Sequence, residues 1–269
     1  LFVIKRIAPH PITPWLALAY PGTFQNIVHG QNGFLSTALL GGGLLLLDNF
    51  PLTAGILFGL LSYKPHFAIF VPIALAAGKY WKALAAMFVS SVCFILLSGF
   101  AFGWRTWVAF YKNISLPIMI LLQEKSLWIK MPTTFASFLL AGFNPSLAGA
   151  FHGFVMFGAV IIVAWIWYKE GPLYIRGSAL ISGILLFTPY AYYYDLSLLA
   201  LPLAWLGWEW SRGGWKLTEK SILIITWLLP IIAPTVAIAL GLQISPILIA
   251  FLLFVTLRQS YKNKSFITS

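Results

Sequence analysis

The residues best suited to chemistry lie in three polar interruptions of a very apolar chain. They are Gln31-Asn32, Lys64-Pro65-His66, and the stretch Thr188-Pro189-Tyr190-Ala191-Tyr192-Tyr193-Tyr194-Asp195. Lys64 can offer a compact positive charge to a phosphate, and His66 a hydrogen bond or, when protonated, a second charge. The amides of Gln31 and Asn32 donate and accept at once, which suits sugar hydroxyls and phosphate oxygens. Asp195 can hold a hydroxyl, orient a histidine or lysine, or pair with Lys64. Each residue also has an ordinary reading. Lys64 snorkels to head groups, His66 is a bonded core histidine, Gln31 and Asn32 cap a helix, and Asp195 merely neutralises Lys64.

The third interruption organises the rest, because it parts two strongly apolar runs, 179–187 and 196–208. An acid in that position is costly unless it faces water or a partner. Tyrosines favour the level of a membrane where one end of the ring is apolar and the other wet. The stretch therefore reads either as the rim of a polar cavity at a bilayer surface or as an interfacial tyrosine belt with a solvated Asp195. Other chemistries lack their signatures: there is no H-E-x-x-H spacing, no thiol pair, no Walker-type phosphate loop and no local histidine–acid pair. No metal and no cofactor is expected.

Composition fixes the setting in which these residues work. The chain of 269 residues is 60% hydrophobic and 9% charged, with a mean hydropathy of +0.89, whereas about a quarter of residues are charged in soluble domains. This is the profile of a polytopic membrane protein. A net charge of +11 would point to nucleic acid in a soluble chain, but here the basic residues sit singly or in pairs between apolar runs. They read as topology signals with some attraction to anionic lipids, so membrane lipids and not nucleic acid are the expected partners. Cys93, the one cysteine, lies in an apolar run and implies no disulfide.

The expected fold is all-α, a single transmembrane helical bundle over 1–269, with spans at about 12–28, 33–47, 52–63, 66–78, 83–103, 148–167, 179–187, 196–208, 221–240 and 246–257. Pro21-Gly22 should kink the first span, and Gly41-Gly42-Gly43 should let a neighbouring helix come close to the second. Lys64-Pro65-His66 cuts one apolar stretch into two pieces too short to cross a bilayer alone, and broken helices are tolerated where the freed backbone lines protein or a cavity. The mixed tract 104–145 suits helices lying in the membrane interface. Threading these spans puts twelve lysines and arginines on one side, including Lys79, Lys82, Arg176, Lys216, Lys262 and Lys264, and five on the other. The first side is then cytoplasmic. The three polar interruptions and the interfacial tract all fall on the extracytoplasmic side.

The run Tyr20-Pro21-Gly22-Thr23-Phe24-Gln25-Asn26 through His29-Gly30-Gln31-Asn32, then Ala54-Gly55, Lys64-Pro65, the Lys79 to Lys82 turn, Trp107 and Phe110, resembles glycosyltransferase family 87. Those proteins are polyprenyl-phosphate-sugar-dependent transferases of the GT-C membrane fold, mannosyltransferases among them. Pro189-Tyr190 to Asp195 resembles the family's later motif, and the likeness runs to about Trp208. Two departures stand out. Actinobacterial members carry a histidine pair where this chain has Tyr194 and Asp195, and the family's catalytic aspartate is expected upstream of Leu1, on a longer chain.

The resemblance implies transfer of a hexosyl group, mannosyl first, from a polyprenyl-phosphate donor to a lipid-linked or glycan acceptor on the outer face of a bacterial plasma membrane. Lys64, His66 and Arg105 would then bind the donor phosphate. Gln31, Asn32, Tyr190, Tyr194 and Asp195 would bind sugar or acceptor, with Asp195 the fallback for the base. The alternative is a secondary transporter or lipid flippase, which also uses broken helices, although the two related halves common in transporters are not visible. A purely structural subunit would account for the spans but not for polar clusters on one side.

Overall fold

The computed structural model describes residues 1–265, with side chains through Tyr261, and among these residues the chain is all-α. Lys262 and Lys264 of the basic tail lie outside the described side chains. The chain opens with α1 (Phe2–Ile7), α2 (Thr13–Ala19) and α3 (Pro21–Val28). The run expected as one kinked span is thus two helices, parted at Tyr20, whose backbone is extended at φ −61° and ψ 124°. A residue before proline is pushed out of the helical region, and proline suits the first turn of the helix that follows.

Next come α4 (Gly33–Leu46) and α5 (Pro51–Leu60), a single 3-10 turn at Leu61–Tyr63, then α6 (Pro65–Ala68) and α7 (Val71–Ala77). Lys64, again before a proline, leaves the helix at φ −121° and ψ 77°. After α8 (Trp81–Phe102), the stretch expected at the interface folds into four short helices, α9 (Trp104–Lys112), α10 (Leu116–Gln123), α11 (Lys125–Lys130) and α12 (Thr134–Leu140). Then follow α13 (Pro145–Tyr168), α14 (Leu173–Phe187), a 3-10 segment at Tyr193–Leu199, α15 (Ala200–Gly213), α16 (Leu217–Leu240) and α17 (Ser245–Ser265). Among the described residues α8, α13 and α16 are long and apolar enough to cross a membrane.

α14 is the centre of the molecule. Every residue from Ile175 to Leu186 is buried, Arg176 and two serines included, and the helix packs against α13, α15 and α17. Its exit at Phe187 delivers the tyrosine-rich stretch to one end of the bundle.

Neighbouring helices do pack onto the glycine triplet, but through their side chains. A Cβ on Gly43 would strike the Phe58 ring and one on Gly41 would strike Leu201 and Val3, so the triplet makes room for side chains. Backbone meets backbone instead between α5 and α8. A Cβ on Gly55 would lie 2.2 Å from the Ala83 carbonyl oxygen and one on Gly59 2.6 Å from that of Met87. Four residues apart, the two glycines form one stripe on α5. The Ser90 and Ser91 hydroxyls donate across the contact to the carbonyls of Ile56 and Gly59, at 3.1 and 3.2 Å.

The last three of these short helices, α10 to α12, carry a small core of their own, in which Leu121, Met131, Phe135, Ala136 and Leu139 pack with Ala148 of α13. Tyr190 and Tyr192 lie against this core. Helices α10 to α12 are thereby one wall of the region around the third polar interruption.

Candidate active site

Contacts sort the breaks between helices into two sets. Residues 29–33, 61–66, 129–137, 188–197 and 241–245 touch one another at one end of the bundle. Residue 48, residues 79–80 and the stretch 165–176 touch one another elsewhere.

The first set is built on Lys64 and Asp195, which form an ion pair at 2.7 Å with side chains 11% and 3% exposed. Asp195 is held by its own segment as well: its Oδ2 accepts the Tyr192 N–H at 3.0 Å, closing a capping box at the start of the 3-10 segment. The burial of Asp195 excludes the solvated tyrosine belt. Burial pushes its carboxyl above the usual value, and the Lys64 ammonium and the Tyr192 N–H pull the other way without cancelling that shift. One ammonium N–H of Lys64 is committed to Asp195. The Phe67 and Tyr194 rings flank the same ammonium at 5.4 and 5.3 Å from their centroids, a weaker hold that a stronger anion can displace.

Aromatic rings build the walls. Tyr192 stacks on Tyr194 with centroids 5.5 Å apart, and Tyr190 meets Tyr192 edge-on at 5.4 Å. His66 stands edge-on to Phe67 at 4.3 Å and to Tyr190 at 6.1 Å, so the second and third interruptions meet through both an ion pair and a ring contact. From the first interruption His29 lies 6.0 Å from Tyr194. Asn32 is tied in by its backbone, whose carbonyl accepts the Tyr63 hydroxyl at 3.3 Å.

Of the residues singled out from the sequence, Lys64, His66, Tyr190, Tyr194 and Asp195 are thus brought together. Gln31 and Asn32 sit beside them on an exposed turn. Neither caps α4 with its side chain. Asn26 does that work from within α3: it is 1% exposed, and its Oδ1 accepts the Gly33 N–H at 2.8 Å. A Cβ on Gly33 would strike Asn26, Ser197 and the Tyr194 carbonyl, so this glycine lets the turn close against the 3-10 segment. Asn26 entered the sequence reading only as part of the run that carries the resemblance, and Ser197 went unnoticed because it looks like a lone polar residue in an apolar run. Arg105 is exposed on α9, which is fastened to α8 by a hydrogen bond from the Trp107 indole to Ser98 at 3.0 Å. No ion pair joins Arg105 to the Lys64 cluster among the described residues.

The chain is an apolar helical bundle of membrane type that carries a buried cation–carboxylate pair, ringed by tyrosines and histidines at one end. Residues 2–189 match glycosyltransferase family 87, and the chain belongs to that family. No curated protein and no solved structure matches it. Membership makes the protein a membrane glycosyltransferase, in place of the transporter or flippase weighed from its broken helices. The match ends at Pro189, so the likeness of Tyr190 to Asp195 to the family's later motif rests on those residues alone.

Proposed function

We propose that the protein moves a hexosyl group, mannosyl first, from a polyprenyl-phosphate donor to a lipid-linked or glycan acceptor on the extracytoplasmic face of a plasma membrane. The observation that carries this reading is the Lys64–Asp195 pair, buried at 2.7 Å beneath the tyrosines. In the reaction the acceptor oxygen forms a bond to the anomeric carbon. The bond from that carbon to the phosphate oxygen breaks, its electron pair stays on the leaving phosphate, and the acceptor proton passes to a carboxylate. Lys64 supplies the charge that a departing phosphate needs, with His66 as a neighbouring donor. Gln31, Asn32, Tyr190 and Tyr194 border the space for sugar or acceptor hydroxyls.

The ion pair gives the site a way to couple binding to chemistry. A donor phosphate competes with Asp195 for Lys64. Once the ammonium turns to the phosphate, the buried carboxylate loses the charge that lowered its pKa and becomes a stronger base or a better partner for a hydroxyl. Asp195 is the acid in this cluster and the fallback for the base role.

The test is transfer from polyprenyl-phosphate mannose in membranes carrying the protein. Lys64→Ala and His66→Ala should raise the donor KM in protein that remains folded, and unchanged donor kinetics in both would remove the phosphate-binding role. Sidedness is tested by single-cysteine labelling in a Cys93→Ala background. An impermeant reagent applied outside should reach position 31, on the exposed turn beside the cluster, and not 216, and the reverse pattern sinks the outward-facing site.

A further inference from the structure

Gln243 lies in the turn between α16 and α17, well past the residues that match the family. It is 4% exposed. Its Nε2 donates to the Tyr193 hydroxyl at 2.8 Å and to the Met131 carbonyl at 3.0 Å. Its Oε1 accepts the Ser245 hydroxyl at 3.1 Å, and its backbone carbonyl accepts the Ser137 hydroxyl at 3.2 Å. A buried amide is costly unless its groups are paired, and here both donors and the acceptor are. An apolar side chain would fill the same space, but only a bonded amide fixes three segments at set distances and angles.

Two of those segments matter for the site. Tyr193 is two residues before Asp195, and it turns inward to Gln243 while its neighbours Tyr192 and Tyr194 stack beside Lys64. Met131 belongs to the small core against which Tyr190 and Tyr192 rest. One side chain therefore sets the 3-10 segment that carries Asp195 against the wall that faces it.

We propose that Gln243 is a positioning residue for the transfer site, a bolt from the C-terminal helical hairpin that holds the tyrosine wall and Asp195 in register with the interfacial tract. This rests on the reading of the Lys64–Asp195 cluster as the donor site. Gln243 acts through Tyr193 and Met131.

Gln243→Met keeps the length of the side chain and removes its bonds. In that variant kcat per folded molecule should fall by about tenfold, as small misplacements in catalytic sites do. The acceptor KM should rise while the donor KM, set by Lys64 and His66, stays. Simple loss of stability would lower the amount of folded protein and leave both KM values alone. Spin labels on native Cys93 and on Ser126→Cys, both exposed, report the tract directly, and their distance distribution should broaden in Gln243→Met. If that variant does not fold, Tyr193→Phe, which removes one hydroxyl, gives the same test with a smaller expected loss. Wild-type kcat and acceptor KM with a narrow distance distribution in either variant overturns the proposal. Absence of transfer in the wild-type protein would sink the donor reading alone, and the distance distribution would then decide whether Gln243 fastens the tract to the bundle.

Discussion

Two ion pairs among the described residues, Lys64–Asp195 and Arg176–Asp48, are almost equally short, at 2.7 and 2.9 Å, yet they stand in opposite surroundings. In the first, both partners are buried. In the second, Arg176 is buried on α14 while Asp48 is half exposed on the turn between α4 and α5. Arg176 is also met from several sides: its guanidinium donates to both Asp48 oxygens and to the Tyr80 hydroxyl, and its carbonyl accepts the Trp167 indole N–H at 3.1 Å. Tyr80 in turn donates to Asp48 at 2.5 Å. With Nη2 on the carboxylate, Nη1 on the Tyr80 hydroxyl and aromatic rings beside it, the planar guanidinium serves as a fixed clasp. Lys64 has one hydrogen-bonding partner and two ring faces. The difference separates a pair that closes a fold from the pair that the proposed function has the donor phosphate open.

The comparison breaks most sharply at Lys64. Lys64→Met strands a buried carboxylate, which should cost about 3–5 kcal/mol of stability, read from thermal or denaturant unfolding in detergent. Replacing both partners, Lys64→Met with Asp195→Leu, should recover most of that stability, because a buried pair exchanged for apolar residues is often neutral, while transfer stays lost. Recovery of transfer in the double variant would show the pair to be structural.

Next in size is Asp195→Asn, which keeps the shape and removes the charge. Turnover should fall by about 1–3 kcal/mol of transition-state stabilisation if Asp195 binds hydroxyls or orients Lys64, and nearly vanish if it is the base. Full turnover with a lowered melting temperature would assign Asp195 to the fold. At the other pair the order of effects reverses. Arg176→Met should cost about 1–3 kcal/mol of stability through lost charged hydrogen bonds, with donor and acceptor KM unchanged in the folded fraction. A shifted donor KM would mean that the clasp reaches the site.

The smallest effect belongs to Asp48→Asn. Burial raises the Asp48 carboxyl, but the Tyr80 hydroxyl and the Arg176 charge outweigh it and hold the group below its usual value of 3.8. A depressed pKa contributes stability that is fully present above the unfolded value and is lost as pH falls through the folded one. The wild-type advantage over Asp48→Asn should be less than about 1 kcal/mol, since the acid is half exposed. It should be constant near neutrality and fade below about pH 4. An advantage that grows on acidification would contradict the clasp.

Much of the site was legible because its residues offend their surroundings. Lys64 before a proline in an apolar stretch, and Asp195 after four tyrosines, are both hard to keep without a partner. The apolar runs and their breaks gave the all-α class in the same way. What stayed hidden depends on who meets whom across the bundle. Gln243 reads as an ordinary turn residue until Tyr193 and Met131 arrive from stretches more than forty residues away. Arg176 was counted only as a topology charge, although a charge inside the apolar pattern of 173–187 was itself a sign of a partner. The glycine triplet drew attention by its density, whereas Gly55 and Gly59, spaced four apart, make the backbone contact. Spacing on a helix face was the better signal.

That contact has a consequence for how freely this protein can vary. Gly59 lies just ahead of the turn that ends at Lys64, and its far side is closed by the backbone of α8. Neither position has space for one more carbon atom, and no rotamer change relieves a clash with a carbonyl oxygen. Any replacement pushes two helices apart and carries the Lys64 turn with it. A random-mutagenesis screen for inactive protein should therefore recover positions 55 and 59 alongside the residues of the site. Neutral drift would pass over the exposed face of α8 and stop at these two glycines, which record the position of Lys64 without touching it.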